Sequence, residues 1–329
     1  MKYRKLGRTD IEVSVVAMGC WAIVGDATWG EQDAAAADAA LLGAVDAGIN
    51  FFDTAEMYGA GKSEEIMGRV LAPHRKDIVI ASKAGSAHLA PDEIVAACER
   101  SLSRLKTDYL DLYQIHWPSR TIPLADTMGA LERLREQGKI RAIGVSNFGP
   151  LDLDDLIAAG RADSNQLNYS LLFRAIEYEI MPKCVDNEIG ILCYSPMCQG
   201  LLTGKFATAD DVPEGRARTR LFSKDRPQSR HHEPGCEKEM FEAIAKARTV
   251  AERVGHPMAD VSLAWVLAQP GIASVLAGAR SEEQVRENAK AGDLELDAQA
   301  LSDLDEATAE VKRIIGSNAD MWQTESRLR

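Results

Sequence analysis

The chain has 329 residues, with 50 acidic side chains against 38 basic ones, a net charge of −12 and 46% hydrophobic residues. That balance argues against nucleic acid or an anionic membrane as the partner of the surface as a whole, and no run of about 18 apolar residues offers a membrane span. The length fits two domains or one large α/β barrel, and composition leaves both open.

The first segment, MKYRKLGRTDIEVS, is charged and has no apolar signal region. Residues 2–13 turn at Gly7-Arg8-Thr9-Asp10 between β-prone segments, the pattern of a hairpin plugging the bottom of a barrel. Eight short apolar, β-rich runs follow, at 13–19, 49–55, 77–83, 109–116, 140–147, 164–170, 190–196 and 273–279. Helical patterns at 33–48, 91–106, 124–139 and 150–160 separate several of them, three opening on Pro or Asp and two closing on Gly. Strands buried on both faces and alternating with helices mean a parallel sheet, and eight units favour a closed (β/α)8 TIM barrel spanning residues 1–329 as a single domain. An open doubly wound sheet is the alternative, but the first strand-to-helix turn holds Gly19, Gly25 and Gly30 without G-x-G-x-x-G. After the seventh barrel strand, a long loop runs from Gln199 to about Glu237 and carries Lys205, Arg216, Arg218, Arg220, Lys224, Arg226 and Arg230. A loop of this length is either functional or a solvated excursion.

The six cysteines, Cys20, Cys98, Cys184, Cys193, Cys198 and Cys236, form neither a C-x-x-C pair nor a metal-ligand spacing, so free thiols in a cytoplasmic protein are expected. The stretch DTAEMYGAGKSE (53–64) ends like a phosphate-binding loop, yet Glu56 stands where the first glycine of such a loop belongs. A carboxylate there repels phosphate, so Gly59 to Ser63 reads as the start of a helix, with the chemistry in Asp53 and Tyr58.

Catalytic groups of such barrels lie at the C-terminal ends of the strands. Those positions hold Asp53 and Tyr58 after the second run, Lys83 closing the third, His116 the fourth, Ser146 and Asn147 the fifth, Gln166 in the sixth and Tyr194 in the seventh. Lys83 follows the apolar IVIAS, so its ammonium needs a counter-ion that Asp53 can supply. A protonated Lys83 beside Tyr58 is expected to lower the phenol's pKa, and His116 to donate a second hydrogen bond to a carbonyl oxygen as charge develops there.

The chain resembles the aldo-keto reductases in NFFDTAEMYG (50–59), SKAG (82–85), LDLYQIHWP (110–118), GKIRAIGVSNF (138–148), QLNYSLL (166–172), YSPMCQGLLTGKF (194–206) and VLAGARSEEQVREN (275–288). The resemblance, closest in style to bacterial enzymes of sugars and polyols, implies a (β/α)8 oxidoreductase that uses NADP(H), with NAD(H) the other candidate. It makes Asp53, Tyr58, Lys83 and His116 the catalytic tetrad, with Tyr58 the general acid. It gives Ser146, Asn147 and Gln166 to the nicotinamide carboxamide, Tyr194 to its ring, Ser195, Pro196, Gly200 and Lys205 to the pyrophosphate, and Gly278, Arg280, Gln284, Glu287 and Asn288 to the adenosine end, with Trp21 at the pocket rim also counted among the cofactor residues. The long loop is then expected to close over the pyrophosphate, and the tail bearing Asn318, Trp322 and Arg327 to fold over the mouth. The partner implied is a small carbonyl or alcohol compound, with neither nucleic acid nor membrane. Two rivals remain: a lyase using Lys83 as a Schiff-base nucleophile, and a cofactor-binding redox-sensing subunit. Metal-dependent hydrolysis lacks ligands, since His116 has no His two residues away and His231-His232 lie in the long loop.

Overall fold

The computed structural model describes residues 1–26 and 28–329. Strands β1 (Tyr3–Lys5) and β2 (Glu12–Ser14) pair antiparallel. Leu6, Ile11 and Val13 of this hairpin are buried with Ala17, Phe51, Ala81, Leu112 and Leu192, so the hairpin closes the barrel floor as its pattern predicts. Gly7 takes φ +55 at the turn, where an added Cβ would meet the Asp163 carbonyl oxygen at 2.2 Å. The predicted run 13–19 divides, because Val13 and Ser14 finish the hairpin and only Val16–Gly19 joins the barrel.

Eight strands alternate with helices around the closed ring. They run from β3 (Val16–Gly19) to α1 (Ala34–Asp46), β4 (Phe51–Asp53) to α2 (Lys62–Val70), β5 (Val79–Ala84) to α3 (Pro91–Leu105), and β6 (Leu110–Ile115) to α4 (Leu124–Glu136). Then come β7 (Ile140–Ser146) with α5 (Pro150–Ala159), β8 (Ser164–Asn168) with α6 (Ile180–Asp186), β9 (Gly190–Tyr194) with α7 (Glu237–Val254) and α8 (Met258–Leu267), and β10 (Ile272–Gly278) with α9 (Glu282–Lys290) and α10 (Ala298–Ile315). All eight pair in parallel and β10 closes on β3.

Alternation along the strands decides where the chemistry sits. Phe51, Val79, Ala81 and Leu112 belong to the inner core, whereas Phe52, Ile80 and Tyr113 pack outward under the helices. Continuing the inward series toward the strand ends brings Asp53, Lys83 and Gln114 to the top, with Asp53 paired to Ala81 and Lys83 to Gln114 in register. The floor is apolar and the mouth polar.

Two irregular segments cover that mouth. The long loop between β9 and α7 holds short 3-10 turns at Cys198–Thr203 and Ala209–Asp211 and is anchored by buried Ala217, Leu221 and Phe222. Arg220 pairs with Glu233 at 2.8 Å and donates to the carbonyls of Ile315 and Asn318 at 3.0 and 2.7 Å, and Arg226 pairs with Glu237 and Asp210. Residues 316–329 fold back over the barrel as predicted. Met321 and Leu328 are buried, Arg327 pairs with Asp320 at 2.7 Å, and the Arg329 main-chain oxygen accepts from the Leu151 and Asp152 N–H groups at the start of α5. Among the described residues no helix is long and apolar enough to cross a membrane.

Candidate active site

Lys83 is fully buried, and its ammonium donates to Asp53 Oδ1 at 2.5 Å, the Thr54 carbonyl at 2.7 Å and the Tyr58 hydroxyl at 3.4 Å. The second Asp53 oxygen accepts from Gln166 Nε2 at 2.8 Å and Gln114 Nε2 at 3.2 Å. Burial pushes the ammonium down, but Asp53 and Tyr58 outweigh it, so Lys83 titrates above its ordinary value and stays charged.

For Tyr58 the balance runs opposite to the sequence expectation. Burial raises its pKa more than the Lys83 ammonium lowers it, and the Asp53 charge adds to the rise. The phenol is therefore a firmly protonated donor in this state. His116, just past β6, meets Tyr58 edge-on with ring centroids 5.8 Å apart. Burial and the Lys83 charge push it down to about 3, leaving a neutral imidazole. Trp21 stacks on Tyr58 at 5.9 Å and 17°, with its indole N–H donating to Asp26 at 2.8 Å.

The turn that presents Tyr58 also departs from expectation. Gly59, Ala60 and Gly61 have φ of 59°, 54° and 96°, so they form a left-handed turn and α2 begins only at Lys62. Consecutive positive φ values break a right-handed helix, and the two glycines make them affordable.

These groups open into one cavity of about 1100 Å³. Of the residues predicted for catalysis and cofactor binding, all but Lys83, which lies beneath Tyr58, line it. On one flank the side chains are already engaged with each other: Ser146 donates to the Gln166 carbonyl at 2.9 Å, Asn147 Nδ2 to the His116 carbonyl at 3.1 Å, and Tyr194 to Asn147 Oδ1 at 2.9 Å. Asn147, Ser195, Cys198 and Gln199 all hold positive φ, a concentration of strained backbone of the sort that gathers at ligand sites. At the far flank, Ser281 caps α9 by accepting from Gln284 N, and Gln284 Oε1 accepts from Arg280 N at 2.9 Å. The Arg280 guanidinium donates to Gln32 Oε1 at 2.7 Å and to the carbonyls of Trp29 and Glu31, tying the loop after β3 across the cavity. Its neighbour Glu282 pairs instead with Arg286 at 2.7 Å.

A model of the aldo/keto reductase family matches residues 15–309. The chain belongs to that family. A protein of Escherichia coli named NADH-specific methylglyoxal reductase is 35% identical over 334 residues, covering 93% of this chain and 99% of its own. The glycerol dehydrogenase of Gluconobacter oxydans superposes with a TM-score of 0.80 at 30% identity, over 95% of this chain and 96% of the other. An aldo-keto reductase from Klebsiella pneumoniae in complex with NADPH gives 0.73 at 29% identity, over 97% and 95%.

This aldo/keto reductase brings further residues to the site that the motif reading passed over. Gln114 lies two positions before His116, so the period of a strand already placed it on the inner face. Gln199 lines the cavity with both amide atoms buried and without a partner among the described residues. Arg216 stands 5.2 Å over the Trp29 ring with a buried, unpartnered Nε. Gln199 lies inside the motif YSPMCQGLLTGKF, next to the Gly200 already singled out, whereas Arg216 had no sequence signal beyond membership of the basic loop, because its place depends on how that loop folds back.

Proposed function

We propose that this chain interconverts a carbonyl compound and its alcohol with NADP(H), with Tyr58 as general acid in reduction and general base in oxidation. The observation that carries the reading is the buried Lys83–Asp53 pair beneath a protonated Tyr58 and a neutral His116. The residues present fit a dinucleotide: the Gln199 amide and Arg216 Nε want partners, and Lys205 and Arg216 have no carboxylate partner among the described residues. Ser146, Asn147, Gln166 and Tyr194 would hold the nicotinamide, and Lys205, Arg216 and Arg280 the phosphates. When bound, the nicotinamide supplies the hydride. Tyr58 gives its proton to the carbonyl oxygen, and the adjacent ammonium lowers the cost of the phenolate left behind. Asp53 keeps Lys83 protonated, and the neutral His116 supplies a second hydrogen bond to the same oxygen.

Aromatic walls from Trp21, Trp117 and Trp322 suit the C–H faces of a polyhydroxy compound, so a sugar- or polyol-like substrate is the class we favour, a choice in keeping with the glycerol dehydrogenase neighbour. Six free, buried cysteines suit a reducing cytoplasm. A Schiff-base lyase fits less well, because the Lys83 ammonium is charged and all three of its protons have acceptors. The test is a screen of aldehydes and aldoses for NADPH and NADH oxidation by the parent and Tyr58→Phe. The variant should lose about 10² to 10⁴ in turnover while cofactor fluorescence still reports binding. Turnover within about threefold of the parent would remove Tyr58 from the role, since a positioned acid contributes far more.

A further inference from the structure

The cations of the long loop sort by partner. Arg220 and Arg226 are consumed by Glu233 and Glu237. Arg216 packs on Trp29 and feels the charge of Arg280, and the proposed function gives it to the cofactor phosphates. Arg218, two residues on, packs elsewhere: its guanidinium lies 4.8 Å over Trp322, in the tail whose Arg327 sits 3.7 Å over Trp117 beside His116.

Arg218 is half-buried and lacks a carboxylate partner among the described residues. Its Nε is buried without a partner, and its best donor contact is a long one, Nη2 to Thr28 Oγ1 at 3.4 Å. Asp26 is the carboxylate that acts on it, but both Asp26 oxygens are taken, Oδ2 by the Trp21 indole at 2.8 Å and Oδ1 by the Thr28 and Trp29 N–H groups at 2.8 and 3.0 Å. Arg230 adds a like charge from the same cavity wall, and burial with that charge pulls Arg218 below its ordinary value. Arg327 contributes no free charge, since Asp320 takes it through two oxygens. The carboxylates lining the cavity, Asp53, Asp260 and Glu287, lie at the catalytic end or on α8 and α9.

We infer that the tail side of the cavity binds an anionic group of the substrate, a carboxylate or a phosphate, on Arg218 with Arg230 beside it. The inference rests on the carbonyl–alcohol reading and narrows its substrate class to compounds with an aldehyde or ketone at one end and an anion at the other. A guanidinium held over an indole is anchored by that cation–π contact and keeps its planar fork of donors for two parallel hydrogen bonds to such a group. An unpaired half-buried cation is costly, and an incoming anion relieves that cost. In a chain of net charge −12, a local pair of arginines also focuses small anions at the mouth.

The experiment compares matched substrates with the full chain and saturating NADPH: glyceraldehyde 3-phosphate against glyceraldehyde, and 4-oxobutanoate against butanal. The charged member of at least one pair should have a kcat/KM about 10 to 150 times higher, the effect of hydrogen bonds to a charged group, carried by KM. Which pair shows it separates phosphate from carboxylate. In Arg218→Met that ratio should collapse toward one and in Arg218→Lys recover in part, with the melting temperature and NADPH affinity reported alongside. Calorimetric titration of glycerol 3-phosphate and 4-hydroxybutanoate into the NADP+ complex gives the site a readout independent of turnover, and Arg218→Met should abolish the binding. Equal kcat/KM within both pairs overturns the anion site and leaves the carbonyl reading intact. Loss of NADPH affinity in Arg218→Met with the ratio unchanged also overturns it, assigning the cation to the cofactor. No turnover of any of the four, with binding that Arg218→Met removes, sinks the carbonyl reading and supports the anion site.

Discussion

Lys83→Met tests whether the buried ion pair is the keystone of the site. Methionine fills much of the same volume but removes every ammonium contact, leaving Asp53 Oδ1 and the Thr54 carbonyl without the donors now at 2.5 and 2.7 Å. Asp53 Oδ2 keeps its two amide donors, Gln166 and Gln114. Stripping one partner from a buried pair costs about 3 to 5 kcal/mol. With an unfolding entropy of about 2.1 cal/mol/K per residue, a chain of 329 residues has about 0.7 kcal/mol/K, so the melting temperature should fall by about 4 to 7 °C. Asp53→Asn combined with Lys83→Met removes the stranded charge while the amide oxygen still accepts from Gln166 and Gln114, and should regain part of that loss while remaining inactive. The sign with pH follows from the raised Lys83 value: the stability it provides is complete below the ordinary lysine pKa of about 10.4 and disappears as pH climbs through the higher folded value. Calorimetry from pH 6 to 11 should therefore show a constant gap between parent and Lys83→Met up to about pH 10 and a narrowing beyond it. A single mutant that melts within about 1 °C of the parent would mean that the pair is not a charged one, and the account of Tyr58 would fall with it.

Arg280→Ala should weaken NADPH binding by about 10- to 150-fold and NADH binding far less in fluorescence titrations; equal losses would mean that Arg280 serves only to tie down the Trp29–Gln32 loop. His116, pushed down to about 3, supports the fold fully above the ordinary histidine value and less as pH falls toward 3. Reduction should therefore show no inflection between pH 6 and 8 that vanishes in His116→Gln, and finding one contradicts a neutral imidazole. Limited proteolysis should cleave the segment 200–230 more slowly with NADP(H) present, and identical cleavage would detach the loop from the cofactor. Asp320→Ala, which frees Arg327, should raise hydrogen exchange across residues 316–329 and raise KM more than it lowers kcat; an unchanged exchange pattern would show that the pair does not hold the tail.

The barrel was readable because its strands are buried on both faces and so appear as short apolar runs, each ended by a polar residue where the chain reaches the mouth. Asp53, Lys83 and His116 could be read from those ends, and Gln114 could have been by the same alternation. Tyr58 does lie beside Lys83, but its pKa rises where the pattern suggested a fall, since the outcome turns on how much solvent the fold removes from the phenol, a quantity no local pattern carries. The left-handed turn at Gly59–Gly61 looked like helix because its composition suits either. Arg216 and Arg218 were beyond reach for a related reason: seven basic residues in one loop are alike in sequence, and only the folded loop shows that Arg220 and Arg226 are neutralised while Arg218 is not.

The tail has an implication for how such a site diversifies. Asp53 and Lys83 are welded into strands β4 and β5 that also close the barrel, so altering them threatens folding. Trp322 and Arg327, by contrast, reach the mouth on a strap braced within itself by the Asp320–Arg327 pair and joined to the body by Arg220 on the Asn318 carbonyl, the His232 N–H on Thr324 and the Arg329 main chain on α5. Grafting another fourteen-residue strap after α10 exchanges one wall of the chamber while the engine beneath it stays the same.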